Sequence, residues 1–126
     1  MLRKIIIFLV LLASLTASYG QRNLLEDSIT KVHIYEGLKA TYKFDFDRAE
    51  EEIEFVNKKY PVHPVGSFMK AMLVYWKYYP LTPDNEHAVE FTSLMELCLE
   101  QAAVRLDLNE GDTEGIFFDL FGRAFY

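Results

Sequence analysis

Cysteine is nearly missing from this chain. Cys98 is the single one among 126 residues, so no internal disulfide closes and no Cys-rich zinc module is built. Cations are scarce as well. Against 19 Asp and Glu stand 13 Lys and Arg, a formal charge of −6, and with no basic excess to neutralise phosphates nucleic acid is excluded as the expected partner. No apolar run reaches the roughly 20 residues a membrane-spanning helix needs, so no stable membrane insertion is expected of the exported chain. No stretch alternates with period two, and no strand is predicted. Gly-rich phosphate loops and Gly-x-Ser-x-Gly elbows do not occur. Glycosylation sequons are missing too: Asn23, Asn57, Asn85 and Asn109 all lack a hydroxyl residue two positions on. What the chain has in quantity is aromatic side chains, 10 Phe and 8 Tyr in a composition that is 51% hydrophobic. These demand burial and exclude a disordered acidic tail.

The first twenty residues read as a processing segment. Arg3 and Lys4 form a positive head, an apolar run of about 8 to 13 residues follows from Ile5, and small residues lead to Gly20, the order of a secretory signal peptide. Cleavage is expected near Gly20-Gln21. It removes two cations and no acid, so the exported chain is more acidic than its precursor. Without sequons or disulfides, the compartment expected is a bacterial periplasm or secreted space.

Residues 21–126 read as five helices. Over 26–43, Ile29, Val32, Tyr35, Leu38 and Tyr42 recur three to four apart and predict one apolar face. Asp47 with Glu50 has capping-box spacing, with Asp45 as the competing cap, before a helix bearing Ala49, Ile53, Val56 and Tyr60. Pro61 stops that helix, and Pro64 suits the first turn of the next, which runs to Tyr79 with Phe68, Met72, Tyr75 or Trp76, and Tyr79 on its face. A fourth helix is predicted from Asp84 or Asn85 to Leu108, with a stripe of Ala88, Phe91, Met95, Cys98, Ala102 and Leu106. A fifth spans 113–126 and is dense in Phe.

A shift of about 34 residues lays Gly37 on Ala71, Leu38 on Met72 and Tyr42 on Trp76, small on small and apolar on apolar. Close helix crossings need a small residue at the point of contact, which is what such a repeat supplies. With Gly37 in the first helix, Ala49-x3-Ile53 in the second, a closing Pro61, Ala71 opening the next unit, and Phe118-x2-Phe121-Gly122-x2-Phe125 near the end, the chain resembles the tetratricopeptide (TPR) family of exported bacterial type. His33, Glu36 and Ala40, and then Ser67, Lys70 and Val74, depart from the family's bulky positions. From Ala71 to Gly122 is one and a half repeats, so the second unit carries a longer connection and helix.

The resemblance implies an all-α fold of antiparallel helix pairs stacked as a right-handed α-solenoid. Its units would be 29–62, 63–110 and an incomplete 113–126. A stripe of Phe118, Phe121 and Phe125 without a covering helix is unfavourable in a solenoid. The expectation is therefore an N-terminal fragment, or self-association through this aromatic helix.

Catalytic constellations find no support. His33, His63 and His87 lack the tight spacing of zinc ligands and are expected to face solvent or bond locally, so no metal and no cofactor are expected. Asp107-x-Asn109-x-Gly111-Asp112 has Gly111 and Asp112 in the wrong order for a calcium loop and reads as a turn with Asp112 opening a helix. Consecutive Glu50, Glu51 and Glu52 fan around their helix and do not converge. Cys98, on an apolar stripe, reads as a core hydrophobe. The block Tyr75, Trp76, Tyr78 and Tyr79 cannot all face one core, so part of it must be exposed.

The function expected is a non-catalytic scaffold that offers a concave surface to a protein or peptide. Its candidate contacts are Glu36, Lys39, Lys43, Lys70, Lys77, Tyr75 and Tyr78. The alternative is the N-terminal helical domain of a larger exported enzyme or sensor.

Overall fold

The computed structural model describes residues 23–126, and the expected export segment, residues 1–20, lies outside them. Five α-helices follow a 3-10 turn at Leu24–Glu26: α1 Ser28–Tyr42, α2 Phe46–Lys59, α3 Pro64–Lys77, α4 Ala88–Leu108 and α5 Thr113–Phe125. Among the described residues there is no strand.

Side-chain caps begin four of the five helices and fix where the chain turns. Asp27 accepts from Thr30 N–H to open α1, and Asp45 from Arg48 N–H to open α2. Asp45, and not the capping-box Asp47, is therefore the cap, because Asp47 already lies in the first helical turn. His63 caps α3 through its ring, with Pro64 at the first helical position, and Asp112 caps α5. The fourth helix starts at Ala88, later than expected. Asn85 is consumed by the loop: its amide donates to the Tyr78 and Pro80 carbonyls and its side-chain oxygen accepts from His87 N–H.

Helix α1 turns the other way from the expected one. Ile29, Val32, Tyr35 and Tyr42 are exposed, and the buried residues are Thr30, Gly37, Ala40 and Thr41, with Ile34 and Leu38 packed partly against the core. The reason is steric. At Gly37 a Cβ would sit 2.7 Å from Met69 Cε on α3 and 3.1 Å from Glu52 Cβ on α2, so α1 presents its small residues where three helices meet. Thr41 is buried without cost because its hydroxyl donates to the Gly37 carbonyl at 2.9 Å.

The turn after α1 places Phe44 at φ 62°, in the left-handed region. Phe44 N–H donates to the Thr41 carbonyl and Asp45 N–H to the Ala40 carbonyl, the paired bonds of a Schellman motif in which glycine is the favoured residue. Because the Phe44 side chain is exposed and meets Phe46 only edge-on, with ring centroids 6.0 Å apart, Phe44→Gly removes strain at the loss of little packing. It should raise the stability of the fold by about 0.5–1 kcal/mol, read as a higher thermal midpoint.

The core sits around α3. From Pro64 to Val74 every residue but Lys70 is buried, and α3 packs against each of the other four helices. α1 packs closely on α2, α3 on α4 and α4 on α5, while α1 also reaches α3 and α3 reaches α5. From α2 come Ala49, Ile53 and Val56, with Tyr60 at its end. From α4 come Met95, Cys98 and Ala102. Ala71 is fully buried, Pro61 is exposed after α2, and at Gly122 a Cβ would meet Leu99 Cδ2 of α4 at 2.7 Å. Tyr79, expected on the buried face of α3, lies beyond its end and is exposed, since the helix stops at Lys77.

The last helix buries one narrow face. Phe118 is buried with its edge toward Phe68 and His63, whereas Ile116, Phe117, Leu120, Phe121 and Phe125 are exposed in whole or part. Among the described residues no helix is long and apolar enough to cross a membrane.

Candidate binding surface

Two arrangements of side chains are unusual enough to consider, a chain of aromatic rings on the surface and a buried set of charges. The aromatic chain is built where α1, α3 and α4 come together. Tyr42 of α1 meets Trp76 at 5.6 Å, Trp76 meets Tyr75 at 5.4 Å and Tyr79 at 6.0 Å, and Tyr75 meets Phe91 of α4 at 5.8 Å. These spacings are those of edge-to-face and offset pairs. The four-residue aromatic block thus splits: Tyr75 and Trp76 are half-buried, Tyr79 is 62% exposed, and Tyr78 turns aside to stack on His87 with ring centroids 3.4 Å apart.

Beyond Tyr75 the rings open into a cleft of about 710 Å³. Its walls are Leu81 and Pro83 of the α3–α4 loop, Val89 and Phe91 of α4, and Phe125 of α5. Thr92, Ser93, Glu96 and Tyr126 add polar groups. The Tyr126 hydroxyl donates to Glu96 Oε1 at 2.8 Å, which fixes one wall. A cleft of this size, apolar with a few polar groups, has the proportions of a binding site.

The candidate contacts named from sequence fall into separate places. Lys77, Tyr75 and Tyr78 come together at the end of α3, with Lys77 Nζ 3.3 Å from Glu50 Oε1 and resting over the rings of Phe46 and Tyr78. Glu36 and Lys39 form a different patch, where Glu36 pairs with Lys39 at 3.5 Å and with Arg48 of α2 at 3.2 Å. Lys43 and Lys70 are exposed on α1's end and on α3. Tyr42, Phe91, Phe125 and Tyr126 belong to the site but are not among the contacts named from sequence. Helical spacing assigns the first three to packing stripes.

The buried charges lie at the opposite ends of α4 and α5 from the cleft. Arg105 donates through Nε to Asp112 Oδ2 at 2.6 Å and through a terminal nitrogen to Glu114 Oε2 at 2.9 Å. Glu114 also accepts from His63 Nε2 at 3.2 Å and from Leu25 N–H at 2.9 Å. His63 Nδ1 accepts from Val65 N–H, so its proton is on Nε2 and the ring is neutral. Four separate parts of the chain are tied here: the 3-10 turn, the α2–α3 turn, α4 and α5. Of the two expected settings for the histidines, solvent or a local bond, His63 takes the local bond, to Val65 N–H, and it is also 3% exposed because its ring must reach Glu114 as well. His33 bonds to Glu52 and stacks on Phe55 of α2.

Burial pushes the His63 imidazole below its ordinary value of 6.5, and the positive field of Arg105 adds to this. The bond to Glu114 opposes both without reversing them. An unfolded chain therefore takes up a proton at His63 before the folded one does. Stability is fully present above about pH 6.5 and is lost as the pH falls below it. Thermal midpoints between about pH 7.5 and 5 should drop for the natural chain, and that slope should flatten in His63→Gln. An unchanged slope would assign the pH dependence elsewhere.

The remaining polar groups have local roles. Asp27 is held well below the ordinary carboxylate range by the Lys59 ammonium at 2.8 Å, together with bonds from Thr30 and Tyr60. For Asp112, burial opposes ionisation, but the Arg105 guanidinium and Gly115 N–H outweigh it and keep the carboxyl low. Cys98 is buried in the core, and burial pushes its thiol up to about 11, which suits a hydrophobe and not a nucleophile. Asp112 closes the turn after α4 as a cap. Among the described residues no three His, Cys, Asp or Glu gather where a metal ion could be held.

Comparison with known proteins adds no relative: no family model, curated protein or solved structure matches the chain.

Proposed function

We propose that this chain is an exported, non-catalytic interaction scaffold of TPR type, in which α1 with α2 and α3 with α4 form antiparallel pairs stacked as a right-handed solenoid and α5 begins a third unit. The observation that carries this reading is the order of helix contacts. Each helix packs on the next, and the first helices of successive pairs also touch, α1 on α3 and α3 on α5. That is what stacking of helix pairs requires. Gly37, Ala71 and Gly122 support it, for all three are buried small residues at corresponding places in α1, α3 and α5. Export rests on the order of residues 1–20 alone.

The surface offered to a protein or peptide partner is the aromatic chain and its cleft at the end of α3. Rigid Tyr and Trp side chains lose little entropy on binding and are common anchors. Capture of a partner from periplasmic extract should fall about tenfold with Tyr79→Ala, an exposed ring of that chain, while helicity stays constant. Equal capture by the variant, or a thermal loss as large as that of a core truncation, would oppose this reading.

A further inference from the structure

Helix α5 carries a second apolar face that the other described helices leave open. Its buried residues are Glu114, Gly115, Phe118 and Gly122. On the outer side Thr113, Ile116, Phe117, Leu120, Phe121 and Ala124 are all exposed, yet they follow the i, i+3, i+4, i+7, i+8, i+11 spacing of a stripe that packs on another helix. At about 100° per residue these six fall within about 140° of the helix surface, and none of them is charged. The large apolar residues from Ile116 to Phe125 are between 41% and 62% exposed, apart from the buried Phe118. With about 200 Å² for each such side chain, they leave about 450 Å² of apolar surface on one helix. The exposed charges of α5 are one acid and one base, Asp119 and Arg123, bonded to each other at 3.0 Å. On the helix they lie side by side along one edge of this face, next to Ile116.

We propose that this face pairs with α5 of a second copy of the chain, the two helices antiparallel across a two-fold axis near Phe121. Area and charge both select that occupant. Two such faces supply about 900 Å² of apolar surface, which at the roughly 65% apolar share of homodimer interfaces corresponds to about 1,400 Å² in all, within the range of about 1,200–2,000 Å² that stable complexes bury. A two-fold axis across the helices keeps both charged edges on the same side and reverses their direction. Asp119 of each copy then stands opposite Arg123 of the other, the self-complementarity that an isologous contact requires. A parallel pair would instead set the charged edges against apolar residues. A strongly acidic or basic partner gains little here, because the acid and the base on the edge cancel. The pairing goes beyond the scaffold reading and does not depend on it or on the aromatic cleft.

Sedimentation velocity on the full chain should show a monomer at about 1 µM giving way to a dimer with a Kd of about 10 µM. At the lower concentration each chain unfolds alone, and Leu120 then contributes no packing. Leu120→Glu, a change at an exposed site beside the axis, should weaken the dimer at least about fiftyfold with helicity unchanged, because two carboxylates would meet within an apolar contact. Charge reversal tests the direction of pairing. Asp119→Lys and Arg123→Glu each set like charges opposite one another in their own dimers, whereas in an equimolar mixture each variant corrects the other. The mixed dimer should therefore form about tenfold more tightly than either variant with itself. A natural chain that stays monomeric at about 500 µM would overturn the proposal and leave the face to a different protein. Association that Leu120→Glu leaves intact would overturn it too, since the contact would lie elsewhere on the chain. A mixture no tighter than its components would overturn the antiparallel two-fold.

Discussion

Replacing Arg105 with Leu should cost the fold about 3–5 kcal/mol, the largest effect expected of any single substitution among its charges. The guanidinium is buried on α4, with 6% of the residue exposed, and it binds Asp112 at 2.6 and 3.1 Å and Glu114 at 2.9 Å. Leu fills much of the same space but leaves two carboxylates facing one another, one of them buried. The penalty is the desolvation of Glu114 with its cation gone, and not the loss of a surface attraction. Urea denaturation should therefore show a lower midpoint at unchanged slope, the sign of lost stability with the same surface exposed. Glu114→Gln placed on the Arg105→Leu background should recover part of the loss, because a neutral amide removes the uncompensated buried charge while its single oxygen still accepts from one of the two donors, Leu25 N–H or His63 Nε2. A loss under about 1 kcal/mol would mean that water reaches this cluster and that it does not hold the helix ends together.

Phe118→Ala should cost about 3–5 kcal/mol, and Leu120→Ala, two residues along the same helix, no more than about 0.5 kcal/mol. Phe118 is 7% exposed, with ring centroids 5.6 Å from His63 and 5.7 Å from Phe68, so its removal empties a space bounded by α3 and the charge cluster. Leu120 is 62% exposed and projects from the other side of α5. Thermal midpoints of the two variants measure directly how much of α5 the fold uses. Equal losses would require something else, a second copy or a partner, to cover the outer face in solution.

Much of the helical layout was legible in the sequence. Prolines at 61 and 64, acid caps and three-to-four spacing put α2 and α3 within two residues of their places, and Ala49, Ile53 and Val56 are buried as expected. What misled was large apolar residues on α1. Periodicity finds a face, but α1 carries two, and the one that meets α2 and α3 is chosen by closeness of approach, which favours Thr30, Gly37 and Ala40 over Ile29 and Val32. The site was partly legible for the same kind of reason. Crowding in Tyr75-Trp76-Tyr78-Tyr79 pointed to exposed rings, yet which rings from α1, α4 and α5 would join them depends on tertiary contact. His63 gave a signal that went unread: a histidine directly before Pro64 stands at the cap position of a helix, where a ring nitrogen finds a backbone N–H.

The enclosure of α3 by all four other helices sets how this chain comes apart. In a long array of repeats each unit touches only its neighbours, and ends fray one pair at a time. Here α3 is shared by both flanks, so the described helices lack that independence. Releasing α1 and α2 uncovers one side of α3, and releasing α4 and α5 uncovers the other. The amides of α3 therefore exchange with solvent only when the whole molecule opens, while those at the outer ends of α1 and α5 exchange through local breathing. With α3 shared by both flanks, the described helices open as one cooperative unit with a single rate of complete opening.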